Sequence, residues 1–402
     1  MPEPLVGKRI VLGVSGGIAA YKAIDFASKL VQLGADVHAI LTASACEFVQ
    51  PLSFAAITHN SVHTSVFEGW EGEHSGHVTL AATADLVIVA PATANSIAKI
   101  AGGFADDMLG AVLLATQAPI LIAPAMEHRM WHHAATQANL ETLRSRGVRV
   151  ISPEAGRLAS GAAGDGRLAA VDRLLAEARC VLGAGGVLNG KRIVITSGGT
   201  HEPIDPVRFI GNGSSGAMGN ALAQAAMDAG AEVTLIAGPT VATLPIGVTP
   251  VRITTALEMQ SAVQAAIVDA DALIMAAAVA DFRPAHPSEH KLKKNPDENT
   301  QQLELVKNPD IIAGISQPGL VKVGFAAETD DLIANATQKL QAKGLDLIVA
   351  NDAVATIGAS HSQATLLIPG HEPESLAEMS KEDLAGVIVA RLAEIFARQV
   401  IS

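Results

Sequence analysis

The chain has 402 residues, about twice an ordinary domain, so two domains are expected. Hydrophobic residues make up 49% and aromatics only 3%, an aliphatic, glycine-rich mixture suited to parallel sheets covered by helices. A net charge of −12 argues against broad nucleic-acid binding, and two cysteines, Cys46 and Cys180, can build neither a disulfide scaffold nor a CxxC metal knuckle. The longest aliphatic runs are strand-length and interrupted by Gly or Pro, so no membrane helix is expected. Met1-Pro2-Glu3-Pro4 lacks a basic region followed by an apolar core, so no signal peptide and a reduced, cytoplasmic compartment are expected.

Residues 7–17, GKRIVLGVSGG, read as a basic start, a buried strand and a Ser-Gly-Gly turn that leads into a helix. In the first half the predicted strands are Ile10–Val14, Val37–Leu41, Leu86–Ala90, Ile120–Ala123 and Val148–Ile151. Helical periodicity falls on Ala19–Leu33 and Ala135–Arg146. Residues 190–199, GKRIVITSGG, repeat the opening pattern. Strands Ile193–Thr196, Glu232–Ile236, Ala272–Ala276 and Leu345–Val349 follow, with helices over Met218–Ala229 and Lys381–Val400. The Gly-rich stretch Val181–Asn189 reads as the junction, which gives domains over residues 1–188 and 189–402. The fold class is therefore α/β, with two doubly wound, mostly parallel-sheet, Rossmann-like domains. The polar, non-periodic stretch Pro284–Gln302 is a candidate active-site flap.

In the first half, Ser15-Gly16-Gly17-Ile18-Ala19 places glycines and free backbone N–H groups where a strand gives way to a helix. That suits either a phosphate or an ordinary tight turn. It is not the GxGxxG dinucleotide fingerprint, which disfavours an NAD(P)-type oxidoreductase. Pro91, Thr93 and Asn95 follow another strand, at the carboxyl edge where such sheets bind ligands; Thr93 also suits a helix cap. Met126 and Glu127 end the next strand similarly. His77 reads as a loop histidine, usually solvated but of suitable pKa for a general base. His128 and His132 are one helical turn apart beside His133, yet no carboxylate or Cys in the sequence pattern completes a metal set, and the metal ligands stay unassigned.

In the second half, Ser197–Thr200, Asp205–Ile210 and Gly211–Gly219 make a long small-residue run into a helix, able to wrap a phosphate with backbone N–H groups. Ala276–Asp281 reads as a buried strand that ends in an acidic residue, suited to a sugar hydroxyl, a base edge or Mg2+. Lys291, Lys293, Lys294 and Lys307 form a cationic cluster that reads equally as a solvated charge run or as a neutraliser of a triphosphate.

Taken as an ordered set, SGGIAAYK (15–22), GHVTL (76–80), ADLVIVAPATAN (84–95) and APAM (123–126), then SGGTHEPIDPVRFIGNGSSGAMG, AAAVADFRP, KLKK, KNPDI, VGFAAET and LIVAND, resemble the bifunctional phosphopantothenoylcysteine decarboxylase/phosphopantothenate–cysteine ligase family across nearly the whole chain. The resemblance implies an N-terminal flavoprotein-type domain that holds FMN through Ser15, Gly16, Gly17, Ile18, Ala19, Thr42, Ser44, Pro91, Thr93 and Asn95. It implies His77 as the catalytic histidine and Met126 and Glu127 at the substrate. The flavin would act as temporary electron acceptor in a decarboxylation that is redox-neutral overall. Two departures stand out: Glu127 replaces the family's carboxylate-binding Asn, and Ser160 stands where a reducing Cys is expected. For the ligase-type half, the resemblance implies Asn212 at the acyl-cytidylate and Lys291 as the catalytic flap lysine. It places the nucleotide against Asp281, Phe325, Lys339 and Lys343 and the segments Met275-Ala276-Ala277 and Pro309-Asp310-Ile311-Ile312. The implied substrates are 4′-phosphopantothenate, cysteine and CTP, with Mg2+ balancing the triphosphate and a homo-oligomeric assembly. Glu127 and Ser160 motivate an alternative in which only the ligase is active; a regulatory flavoprotein without turnover is a further reading.

Overall fold

The pattern of strand, Gly-rich turn and helix is realised twice. A computed structural model describes residues 3–67, 76–293, 300, 302–328, 331–352 and 361–399. The chain divides into two units, Glu3–Gly183 and a second that runs from Ala184.

In the first unit, β1 (Arg9–Val14), β2 (Asp36–Leu41), β3 (Leu86–Ala92), β4 (Ile120–Pro124) and β5 (Arg149–Val150) form a parallel sheet in the order β2-β1-β3-β4-β5. Successive residues face opposite sides. Ile10, Leu12, Leu86 and Ile88 enter one core, and Val11, Val87 and Val89 the other. Nine helices flank the strands among the described residues: α1 (Tyr21–Gln32), α2 (Ala43–Cys46), α3 (Pro51–Thr58), α4 (Gly76–Thr83), α5 (Ala94–Gly102), α6 (Met108–Ala115), α7 (His128–Trp131), α8 (Ala134–Ser145) and α9 (Val171–Gly183). In α1, buried Ala23, Phe26, Ala27 and Leu30 recur at the i, i+3, i+4, i+7 spacing of one helical face. A hairpin of β6 (Glu154–Arg157) and β7 (Ala163–Arg167) follows the sheet. The chain's direction of travel across the sheet reverses between β1 and β3, a topological switch point where such sheets bind ligands.

The second unit contains β8 (Arg192–Ser197), β9 (His201–Pro203), β10 (Phe209–Gly211), β11 (Glu232–Ala237), β12 (Thr249–Arg252), β13 (Ala272–Met275), β14 (Phe282–Pro284), β15 (Leu305–Lys307), β16 (Val321–Glu328), β17 (Leu347–Asp352), β18 (His361–Ser362), β19 (Ala364–Leu367), β20 (Glu374–Ser375) and β21 (Met379–Ser380). Its large sheet runs β12-β11-β8-β13-β16-β17-β19-β20, parallel through β17 and antiparallel beyond it. Here the switch point lies between β8 and β13. The helices are α10 (Ala217–Asp228), α11 (Ala256–Ala266), α12 (Leu332–Ala342) and α13 (Lys381–Gln399). Thr255 and Glu258 close a reciprocal capping box on α11. Helix α10 packs tightly on β8, because a Cβ on Gly219 would stand 2.6 Å from that of Ser197.

Three sequence expectations need correction. Leu188, placed at the end of the first domain, is fully buried in the second unit's core, and its N–H donates to Ala229 O at 2.8 Å. Residues 276–281 are not a strand: β13 ends at Met275, and the chain then runs beside the turn after β8, with Ala278 N donating to Gly198 O and Thr200 N to Ala278 O. Edge hydrogen bonding to that turn replaces the sheet ladder. His77 lies in the first turn of α4 and not in a loop. Within the proposed flap, Phe282–Pro284 pairs with Leu305–Lys307, while residues 294–299 and 301, including Lys294, lie outside the described residues.

Candidate active sites

In the N-terminal unit, the turn after β1 and the loop after β3 are tied by one side chain. Ser15, buried at 1% exposure, donates its hydroxyl to Pro91 O at 2.7 Å and accepts from Thr93 N at 2.9 Å. Thr93 in turn caps α5, its Oγ1 accepting from Ser96 N at 3.2 Å. The cap reading and the ligand-loop reading of Thr93 therefore describe one residue, which also lines a cavity of about 460 Å³. Of the predicted cofactor and substrate residues, Gly16, Gly17, Ile18, Ala19, Pro91, Thr93, Met126, Glu127 and Ser160 line this cavity. Ser15, Thr42, Ser44, Asn95 and His77 do not. Thr42 caps α2, and Ser44 packs behind Gly16, supporting the turn from outside.

Met126 N donates to Gly166 O at 2.9 Å, which fixes the β6–β7 hairpin as one wall of the cavity. Gly166 has φ +139°, and a Cβ there would run into Met126 O, so glycine is required for that contact. Glu127 caps α7, its Oε2 accepting from Arg129 N at 2.6 Å. Its charge is engaged by a helix start, the place where a carboxylate is best tolerated. Sequence reasoning missed the cations of this cavity: Lys22, Arg157 and Arg167 all line it. Lys22 lies inside the SGGIAAYK motif quoted for its small residues, so its charge was the available signal.

The expectation that nothing completes a His128/His132 pair is also corrected. Asp165, on β7, brings a carboxylate within 4.8 Å of both histidines, whereas His133 is used to cap α8. These groups are already bonded among themselves. Asp165 N donates to His128 Nδ1 at 3.1 Å, and His132 Nε2 lies 3.2 Å from Asp165 Oδ2, so the trio latches the hairpin to α7.

In the C-terminal unit, a cavity of about 370 Å³ opens beside the carboxyl ends of β13 and β16. Met275, Ala277, Asp281, Pro309, Asp310, Ile311, Ile312, Phe325, Lys339 and Lys343 line it as expected, joined by Lys307 and Asn308. Ala276 does not line it. Asn308 is buried and bridges the two walls, with Nδ2 donating to Ala280 O and its N–H to Asp281 O, both at 2.8 Å. Lys343 pairs with Asp310 at 2.9 Å. Burial pushes the Asp310 carboxyl up, but the Lys343 hydrogen bond, the Ala313 N–H and the charges of Lys343 and Lys307 outweigh it and hold the group below the usual carboxylate range.

Asn212 and Lys291 stand outside this cavity. Asn212 is adjacent, its Nδ2 donating at 3.0 Å to the carbonyl of Val279, a lining residue. Lys291 is exposed, and its segment is anchored through Leu292 to Asp205. Asp205 is buried and accepts from Val207 N, Arg208 N, the Arg208 guanidinium and Leu292 N. The guanidinium, then those backbone donors, hold its carboxyl far below the usual range. Sequence reasoning noted Asp205 only as part of a run; its role as a hub depends on Leu292, 87 positions away, whose N–H donates to it.

Among the described residues, no helix is long and apolar enough to cross a membrane. Residues 1–181 match the family described as Flavoprotein, and residues 188–396 match the DNA/pantothenate metabolism flavoprotein C-terminal domain. The chain is 43% identical over 397 residues to the Coenzyme A biosynthesis bifunctional protein CoaBC of Vibrio cholerae, covering 98% of this chain and 99% of that protein. The protein of the same name from Bacillus subtilis is 44% identical over 399 residues, with 97% and 98% covered. A crystal structure of the C-terminal domain of Coenzyme A biosynthesis bifunctional protein CoaBC is 36% identical, with a TM-score of 0.46, and covers 53% of this chain and 100% of that one.

Proposed function

The chain belongs to the family of coenzyme A biosynthesis bifunctional proteins, and from that premise we propose that its C-terminal unit joins cysteine to 4′-phosphopantothenate with CTP while its N-terminal unit decarboxylates the product with FMN. The observation that carries this reading is the presence, in one chain, of two cavities beside the carboxyl ends of parallel strands, each lined by the motif residues of one activity.

The residues of the N-terminal cavity fit a flavin. Gly16 and Gly17 leave backbone open at the β1–β3 switch point, and Ile18, Ala19, Met126, Met130 and Leu168 supply apolar surface for a ring. When bound, FMN would supply reversible two-electron chemistry. The chain's own residues do the rest: Ser15 holds the two ligand loops in register, and Met126, Glu127 and Ser160 face the substrate. His77 does not line the cavity of its own chain, which supports a homo-oligomer with FMN sites formed between N-terminal units. We place the enzyme in the cytoplasm.

In the ligase unit, Lys307, Lys339 and Lys343 place positive charge around one cavity, suited to a nucleoside triphosphate and its pyrophosphate leaving group. Asp281 lines the same cavity, and its carboxylate has no hydrogen bond or ion pair among the described residues. One free carboxylate beside substrate phosphates is an ordinary way to hold Mg2+, so Asp281 is the residue that would take it. Asn212 presents its amide at the rim for the activated acyl group, and Lys291 approaches on the segment held by Asp205. A carboxylate resists amine attack, so conversion to a mixed anhydride must precede coupling to cysteine.

Purified protein incubated with phosphopantothenate, cysteine, CTP and Mg2+ should yield phosphopantetheine by mass spectrometry. Accumulation of phosphopantothenoylcysteine would remove the decarboxylase from this reading. No cysteine adduct from folded protein would remove the ligase.

A further inference from the structure

The N-terminal cavity carries unbalanced positive charge. Lys22 on α1, Arg157 on β6 and Arg167 on β7 line it, and the one acidic lining residue, Glu127, already caps α7. Among the described residues, neither guanidinium has a hydrogen-bond or ion-pair partner. Among the described residues the Lys22 ammonium reaches only Leu168 O, at 3.4 Å. The Arg167 guanidinium lies across Gly156, where an added Cβ would be 3.6 Å from its Nη1. The Lys22 ammonium is held below its usual range, first by burial and then by the charge of Arg167, with Glu154 opposing. Lys22 is half-buried and the two arginines are exposed, so three cations crowd one cavity with the Glu154 charge opposing them, and an anion that joins them is favoured.

We propose that Lys22, Arg157 and Arg167 form a clamp for a phosphomonoester, and that the group it takes is the 4′-phosphate of phosphopantothenoylcysteine. This rests on the decarboxylase reading given above. Two arginines and a lysine match a phosphate dianion in charge and in donor geometry, because planar guanidinium forks bind its oxygens in pairs. The reacting carboxylate is the wrong partner for them. Its negative charge leaves that group as CO2 departs, so guanidinium pairing would stabilise the ground state more than the transition state and slow the reaction. The cations therefore belong at the end of the substrate that does not react. The flavin also carries a phosphomonoester, but the Gly16–Ala19 turn is a separate wall with its own open backbone, whereas Arg157 and Arg167 both lie on the hairpin.

The test uses the full-length chain with Arg157→Gln, Arg167→Gln and Arg167→Lys. It compares phosphopantothenoylcysteine with pantothenoylcysteine, which lacks the phosphate, and titrates FMN separately. Each Gln variant should raise KM for the phosphorylated substrate about tenfold to a hundredfold, the worth of a charge-assisted contact, with kcat nearly unchanged. Turnover of the unphosphorylated substrate and the FMN Kd should stay within about twofold, a change of under half a kcal/mol. Arg167→Lys should recover part of the loss. Equal losses on both substrates, or no loss on either, would overturn the clamp. Loss of FMN affinity instead would move it to the flavin phosphate and overturn the assignment to substrate. Calorimetry with the serine analogue of the substrate, with and without its phosphate, reads binding without turnover. If the wild type decarboxylates neither substrate, the decarboxylase reading fails; a phosphate-dependent affinity for the analogue that Arg167→Gln removes would still uphold the clamp, and a phosphate-independent affinity would sink it.

Discussion

Adjacent glycines in the turn after β1 should respond very differently to one methyl group. A Cβ on Gly16 would stand 2.5 Å from both the carbonyl carbon and the carbonyl oxygen of Ser44. Ordinary carbon–oxygen contacts begin at about 3.3 Å, so one side must retreat by roughly 0.8 Å. Neither side is free to do so. Ser15 donates from its N–H and its hydroxyl to Pro91 O, and Ser44 lies in the first turn of α2 under the Thr42 cap. Overpacking of this kind costs about 1–3 kcal/mol. In a unit of this size each kcal/mol lowers the midpoint by about 2–4 °C, so Gly16→Ala should melt about 2–12 °C below wild type. Gly17 has extended backbone, φ −167°, and its Cβ would meet only Thr93 Cγ2, at an ordinary 3.6 Å. Gly17→Ala should therefore leave the apo midpoint within about 1 °C. Thermal unfolding of the flavin-free full-length variants, read with FMN titration of each, measures both effects, and ligase turnover reports that the chain is otherwise intact. Equal shifts for the two variants, or a Gly16→Ala protein that melts with wild type, would refute the steric argument.

Asp36 is raised by burial but lowered more by hydrogen bonds from Arg9, Asn60 and His38, to about 2 in the folded protein. A depressed carboxyl stabilises the fold above its unfolded pKa of about 3.9, and that increment is lost as pH falls toward the folded value. Asp36→Asn should lower stability at pH 5–7, by no more than about 1 kcal/mol because the group is partly solvated, and the difference from wild type should vanish near pH 2; denaturant titration across pH checks the sign. Lys343→Met removes a cavity cation and the partner of Asp310, so KM for CTP should rise about tenfold to a hundredfold while supplied phosphopantothenoylcysteine is decarboxylated as before; an unchanged KM would exclude this cavity as the nucleotide site. Glu127→Asn keeps a good helix cap and removes a negative charge from the N-terminal cavity, so KM for phosphopantothenoylcysteine should fall several-fold, by about 1 kcal/mol, without loss of stability. A higher KM would show that the Glu127 charge helps binding.

What the sequence determined by itself is what depends on near neighbours. Continuous aliphatic runs gave the parallel strands, because a strand buried on both faces must be apolar at successive positions, as Ile10, Val11 and Leu12 are. The spacing of Ala23, Phe26, Ala27 and Leu30 gave α1. The Ser-Gly-Gly turns marked the exits from β1 and β8 at the two switch points, and Gly16 and Gly17 of the first line the N-terminal cavity. Pro309 to Ile312 line the C-terminal cavity, but the family resemblance pointed to them and no local pattern marks that segment.

Only the tertiary structure decided which distant groups meet. Residues 276–281 have the composition of a strand but hydrogen-bond to the turn after β8, so their tertiary partners override the local pattern. Asp165 reaches His128 and His132 because the β6–β7 hairpin folds back on α7; their separation in sequence carries no sign of it. Asp205 gathers the Lys291 segment, Asn308 bridges the walls of the C-terminal cavity, and Arg167 is brought beside Lys22 from the far end of the unit. Local periodicity encodes burial and backbone hydrogen bonding within an element. Charge balance in a cavity is a property of the whole packed unit, set only when segments from opposite ends of the chain close around the same space.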